Sequence, residues 1–359
     1  MFLEMLLIIL FSAFISIFFT PFVIRLSNKW GLVTDSKKSK HPANTHEGII
    51  PRAGGIPIFL SILISSILFL PLDHIIIRVL IGCLILAIIG VLDDKYDLSP
   101  YLRFGVNIIV SAIVVSGGLG IPFISNPFGD VIRLDNWVLN LEFFGQKFQF
   151  LVIANVLSII WLTWMMNMVN WSKGVDGQLP GFVGITALFL GILSQRFTAH
   201  NINIETVMML SFIVSGAYFG FLPFNFYPQK IMPGYGGGSI AGFMLGALSI
   251  LSFGKLGTAI LVLSIPIIDA FYTLLRRIIN KKSPFIGDKG HFHHRLLEIG
   301  WGRRRIAIFY WSISVILGIA SLFLSGFEKF LAFMSVGIIL IIFMIAIEKL
   351  KNLYFKAQN

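Results

Sequence analysis

Residues 75–100 read IIIRVLIGCLILAIIGVLDDKYDLSP. Arg78 aside, nothing from Ile75 to Leu92 is charged, and a helix of that length is fit to cross the hydrocarbon core of a bilayer. The run stops abruptly at two adjacent carboxylates, Asp93 and Asp94. Paired carboxylates at a membrane surface repel each other and are costly unless a cation or a basic group compensates them. The DDxxD run therefore predicts either a site for a metal or a metal-diphosphate complex, or a capping cluster for the helix that follows. This stretch sets the fold class: apolar helices in lipid, with chemistry at their ends.

The same pattern recurs along the chain. Of its 359 residues 56% are hydrophobic and 13% charged, with a mean hydropathy of +0.87, far from the balance of an ordinary soluble domain. Apolar runs fall at Leu3–Ile24, Ile56–Leu72, Ile75–Leu92, Phe104–Phe123, Phe150–Met168, Phe182–Leu193, Val207–Phe224, Ile240–Phe253, Leu256–Leu275, Ile306–Leu324 and Phe330–Ile347. They predict an all-α polytopic membrane protein of about eleven transmembrane helices, in which the short sixth and eighth runs are candidates for a re-entrant segment. Leu3–Ile24 is long enough to span and has no small-residue cleavage signature after it, so it reads as the first span rather than a signal peptide. With no repeat or Pro/Ser-rich linker, residues 1–359 read as a single domain.

The net charge of +11 could suggest nucleic acid, but its placement points to membrane orientation and anionic headgroups, with no nucleic-acid partner. Of the 28 Lys and Arg, only Arg78, Arg133, Lys147, Arg196, Lys255 and Lys329 fall in the outer set of connections. That asymmetry places the N-terminus outside and the C-terminus in the cytoplasm of a multi-pass protein of the cell (inner) membrane. Cys83 stands alone inside an apolar run, which excludes an intrachain disulfide and favours inert packing. Ile124–Gln149 alternates well enough for a small outer hairpin.

The unusual polar clusters share the cytoplasmic side. Besides DDKYDLSP, they are Ser27–Gly55, ending THEGIIPRAGG and with basic residues that by themselves read as topology determinants; Asn167–Gln178, NMVNWSKGVDGQ; Asn225–Ser239, NFYPQKIMPGYGGGS; and Arg276–Arg305, which holds the HFHHR stretch. Asn167 and Asn170, a helical turn apart and followed by two glycines, suit a turn offering amide oxygens and N–H groups to phosphate or metal; a cap and an Asp-Gly turn are the alternative. Glycine-rich backbone before a helix is either an anion cradle or a hinge. His291, His293 and His294 lack the partners of common zinc patterns, so with the surrounding Lys and Arg they read as a grip on an anionic substrate such as a nucleotide diphosphate.

IPRAGGIPIF, DDKYDLSP followed by Arg103, NMVN…GVDG, FNFYPQKI and IPIIDAFYTLLRRIINKKSPFIGDKGHFHHRLLEIG together resemble the polyprenyl-phosphate N-acetylhexosamine-1-phosphate transferases. These include the bacterial undecaprenyl-phosphate GlcNAc-1-phosphate transferases and the phospho-MurNAc-pentapeptide translocases. The resemblance implies transfer of a sugar-1-phosphate from a UDP-amino sugar to polyprenyl phosphate with release of UMP, initiating a cell-wall or surface polysaccharide. It implies Asp93 and Asp94 as the catalytic pair, Asn170 and Asp94 beside a magnesium ion, and Arg103, Lys173, Asp176, His291, His293, His294 and Arg295 in the substrate pocket. It leaves a homodimer open.

Two positions depart from the pattern. Lys173 stands where the first Asp of the family's NxxNxxDGxDG loop is expected, and Tyr235 where the magnesium-ligand Asp of MGDxGS would fall. A phenol is neutral near pH 7 and a poor ligand for a hard divalent ion, so the magnesium implied by the family is in doubt here, and Lys173 is expected to replace part of its charge. The alternative function is a catalytically impaired homologue that binds lipid phosphate or nucleotide sugar as a scaffold or regulator. A transporter is weaker still, since Glu4, Arg78 and Asp269 are the few ionisable groups within its spans.

Overall fold

The computed structural model describes residues 2–36, 48–143, 146–194, 204–252, 256–284 and 287–358. Lys37, Lys38, Lys40, Thr45–Glu47, Arg196 and Lys255 lie outside the described residues. Each apolar run of the sequence overlaps a helix, and the ninth run overlaps two. In chain order the helices are α1 (Phe2–Trp30), α2 (Gly55–Phe69), α3 (His74–Tyr96), α4 (Pro100–Val115), α5 (Val152–Trp171), α6 (Gln178–Ser194), α7 (Ile204–Asn225), α8 (Gly234–Leu251), α9 (Leu256–Val262), α10 (Ser264–Ile279), a short α11 (Phe292–Glu298), α12 (Arg303–Phe323) and α13 (Gly326–Gln358). By length and composition, α1, α3, α5, α7, α8, α12 and α13 can each cross a membrane, and the bent pair α9–α10 makes a further candidate. The protein is an all-α polytopic membrane protein.

Local chemistry sets the helix ends that matter. Asp73 caps α3 by accepting from Ile75 N and Ile76 N at 2.9 and 2.8 Å. That helix ends at Asp97, in the left-handed conformation, whose N–H returns to Asp93 O. Ser99 then caps α4, with Pro100 in its first turn, so α3 reverses into α4 within a few residues. The tight reversal brings Arg103, early in α4, beside Asp93, in the last turn of α3.

Helix α8 is the buried axis, packed on α2, α3, α5, α6 and α7. The glycines of GYGGGS lie inside its first turns. They form neither a hinge nor an open cradle, which corrects both readings of that stretch and moves the start of the eighth span back to Gly234. The reason is close packing: a Cβ on Gly90 or Gly55 would strike the backbone of Gly236, and one on Gly242 would strike Met165 and Met166 of α5. The broken span is the ninth run, not the sixth or eighth, with an 81° bend between α9 and α10. Pro266 has no N–H for Val262 O, and the Ser314 hydroxyl of α12 donates to that carbonyl instead, at 3.4 Å.

Two short strands, β1 (Val33–Asp35) and β2 (Ile49–Pro51), pair antiparallel ahead of α2 and fix Arg52 near the ends of α3 and α8. The outer segment predicted as one hairpin forms two, β3 (Phe123–Ile124) with β4 (Ile132–Arg133), and β5 (Val138–Phe143) with β6 (Gln146–Leu151). Phe128 in this segment packs edge-on against Phe327 and Phe330 of α13, as a cover over helix ends. Large apolar side chains such as Leu7, Phe14, Ile338 and Ile342 remain exposed on α1 and α13, the surface expected to face lipid.

Candidate active site

Asp93 and Asp94 end α3 buried, not surface-exposed as their position at a helix terminus had suggested. Two guanidinium groups reach them. Arg103 Nη1 donates to Asp93 Oδ1 at 3.2 Å, and Arg52 lies 3.8 Å from Asp93 Oδ2 and 3.3 Å from Asp94 Oδ1. Tyr235 N, at the start of α8, donates to Asp94 Oδ1 at 3.3 Å. Both arginines are about a quarter exposed, at 25% and 26%, so they connect the buried pair to water.

The loop after α5 joins this pair to the histidines. Lys173 Nζ donates to Gly234 O at 2.8 Å, and Gly234 has φ +67° at a place where an added Cβ would strike both Arg52 O and Asp94 Oδ2. Lys173 is half-buried, and burial lowers its ammonium to about 8 against the opposing attraction of Asp94. The next residue, Gly174, lies directly under the imidazole of His293, where a Cβ could not fit. Asp176 follows, with Gln229 N donating to Oδ2 at 3.4 Å and Arg303 3.8 Å away. Burial raises the Asp176 carboxyl, opposed by Arg303. Asn170 Oδ1, against Gly238, and Asp176 Oδ1 are buried without a protein hydrogen-bond partner. Such acceptors invite a ligand or water.

The histidines of α11 are ordered from behind by Asp269 of α10, whose Oδ2 is 3.0 Å from His291 Nδ1 and whose Oδ1 accepts from Phe292 N at 2.7 Å. His291 and His293 stack nearly parallel, interplanar 4°, and His294 tilts against His293 with centroids 4.3 Å apart. Burial and the neighbouring imidazoles push His293 well below its ordinary value, and burial with His291 brings His294 down to about 4. These two rings are neutral near pH 7, so they offer hydrogen bonds to an anion in place of fixed charge.

With that geometry in hand, the glycosyl transferase family 4 model matches residues 76–253, from α3 to the end of α8. Over that stretch, about half of its length, the chain is similar to this family. A probable undecaprenyl-phosphate N-acetylglucosaminyl 1-phosphate transferase of Bacillus subtilis is 29% identical over 344 residues, covering 93% of this chain and 88% of that protein. An undecaprenyl-phosphate alpha-N-acetylglucosaminyl 1-phosphate transferase of Thermotoga maritima is 27% identical, with 79% of each chain covered. A phospho-N-acetylmuramoyl-pentapeptide-transferase of Borrelia hermsii is 28% identical, covering 87% of this chain and 92% of the relative.

The magnesium implied by glycosyl transferase family 4 does not fit these residues. Both carboxylates of the acid pair are ion-paired with arginine, and among the described residues no group of three His, Cys, Asp or Glu side chains could hold a metal ion. The Tyr235 phenol is held by Asn107 Oδ1 at 2.9 Å and Arg103 O at 3.3 Å, donating to both, and supplies no anionic oxygen there.

Of the residues singled out in the sequence, Asp93, Asp94, Arg103, Lys173, His291, His293 and His294 are linked by the contacts above at one end of the helix bundle, while Asn170 lies against Gly238 and Asp176 is held by Gln229 N and Arg303. Arg295 is not. Its guanidinium is taken up by Gly290 O, Met344 O and Glu348, clasping α11 to α13. Arg52, Asn107, Asp269 and Arg303 were not identified as site residues. Arg52 stood in plain view in IPRAGG, Asn107 one helical turn beyond Arg103, and Asp269 as an isolated carboxylate inside an apolar run.

Proposed function

We propose that this relative of glycosyl transferase family 4 transfers a sugar-1-phosphate, most simply GlcNAc-1-phosphate, from a UDP-amino sugar to polyprenyl phosphate at the cytoplasmic face of the cell membrane. The observation that carries the reading is the run of contacts Asp94–Gly234–Lys173–Gly174–His293. Through it a carboxylate pair, a half-buried ammonium and neutral imidazoles share one end of an apolar helix bundle. Relatives named for the transfer of N-acetylglucosamine phosphate to undecaprenyl and decaprenyl phosphates support it.

In this reading an oxygen of the acceptor phosphate attacks the sugar-bearing β-phosphorus. A new P–O bond forms, the bond from the β-phosphorus to the bridging oxygen breaks, and that oxygen leaves on UMP. The Asp93–Asp94 pair takes up the proton of the acceptor phosphate. Arg52 and Arg103 hold the pair in place. His291, His293 and His294 hydrogen-bond the diphosphate, and the unpartnered oxygens of Asn170 and Asp176 accept from sugar or base. Two polyanions meet here, so charge placed in advance is the main requirement.

The test is incubation of purified protein with polyprenyl phosphate and a panel of radiolabelled UDP-sugars. A lipid-diphosphosugar formed from a UDP-N-acetylhexosamine supports the proposal; binding of UDP-sugar without product favours the scaffold alternative.

A further inference from the structure

We propose that this enzyme runs without a divalent cation, because fixed cations of its own chain, with Lys173 foremost, stand at the acid pair in its place. The inference rests on the transferase reading and deepens it. The geometry carries it at three points. First, Asp93 and Asp94 are already matched by Arg52 and Arg103 at 3.2–3.8 Å, which leaves the pair without the net negative charge that draws in a metal. Second, Lys173 Nζ is seated 2.8 Å from Gly234 O, on the residue where an added Cβ would strike Asp94 Oδ2. A third positive charge is thereby built in, and a divalent ion arriving there would meet cations without a free carboxylate to bind it. Third, the start of α8 offers a phenol in place of a carboxylate, and that phenol is already engaged as a donor to Asn107 Oδ1 and Arg103 O.

The consequence is chemical. In transfer between two phosphates, charge must be neutralised where the leaving oxygen develops it, and a preorganised ammonium and guanidinium groups do this without reorganising during the step. No co-reactant enters: one P–O bond forms and one breaks, as above.

The experiment compares transfer by the purified full-length protein in lipid nanodiscs after exhaustive EDTA treatment with transfer in added magnesium. We expect the two rates to agree within about twofold, and Lys173→Gln to lose on the order of 100-fold in turnover, the scale of removing one charge-stabilising donor, with no rescue by magnesium. The double variant Lys173→Asp, Tyr235→Asp is expected to gain a divalent site, read independently of turnover as a bound Mn²⁺ signal in electron paramagnetic resonance. Native transfer that EDTA abolishes and magnesium restores overturns the inference and leaves the transferase reading standing. Unchanged turnover in Lys173→Gln also overturns it. Absence of transfer under both conditions overturns the transferase reading, and this inference with it. Should either variant fail to fold, the comparison on the native protein still decides.

Discussion

Lys173 Nζ lies 2.8 Å from the carbonyl oxygen of Gly234, and Gly234 is folded so closely over Asp94 that a single added carbon would strike Oδ2. This contact ties the loop after α5 to the start of α8 and, through Asp94, to the end of α3.

Gly234→Ala is therefore expected to abolish transfer. The new Cβ meets Arg52 O and Asp94 Oδ2, and a φ of +67° costs a non-glycine residue about 1–2 kcal/mol before any clash. Gly105→Ala in α4, where a Cβ meets nothing within 4 Å, serves as the control and is expected to be neutral or slightly stabilising. Turnover and thermal unfolding of the two variants check this; equal activity in both would contradict it.

Asp93→Asn and Asp94→Asn are expected each to lower turnover by on the order of 10²–10³-fold while the protein still inserts and folds. Both positions are buried, but the arginines they would leave behind are about a quarter exposed and can turn to water, which limits the cost of the broken ion pairs. Retained turnover in both variants would remove the acid pair from the mechanism.

Arg295→Ala is expected to reduce stability and leave KM for the sugar nucleotide near its native value. Its guanidinium satisfies two backbone carbonyls between α11 and α13, and orphaning such groups costs about 1–3 kcal/mol each. A raised KM at unchanged melting temperature would return Arg295 to the substrate pocket.

Acid sensitivity should follow the histidines. His293 and His294 sit below their unfolded value of about 6.5, so the unfolded chain binds more protons and the neutral folded form is favoured. Their contribution to stability is present above about pH 6.5 and is lost as pH falls toward the His294 value of about 4. The melting temperature is expected to fall across that window in the native protein, and less steeply in His293→Asn.

The fold and much of this site were legible in the sequence for a physical reason: a helix that crosses lipid must be apolar throughout, so each charge that remains marks an end. Ile75–Leu92 announced α3, and the Asp-Leu-Ser-Pro stretch after it contained the cap and N1 proline that turn the chain back on Asp93. What periodicity could not give was depth. The glycines of α8 read as loop because glycine favours loops, yet here they let helices approach at Gly90 and Gly55. Arg52 and Arg295 illustrate the same limit, since a basic residue in a basic connection reads alike whether it grips a carboxylate or clasps two helices. The break between α9 and α10 was hidden because a proline such as Pro266 is tolerated wherever a neighbour such as Ser314 satisfies the freed carbonyl.

The most direct test of the central claim is the identity of the nucleotide released when the protein, polyprenyl phosphate and β-³²P-labelled UDP-GlcNAc react to form lipid product. Attack at the β-phosphorus predicts unlabelled UMP in step with labelled lipid-diphosphosugar. Release of labelled UDP would mean that the sugar alone is transferred, and would contradict the account.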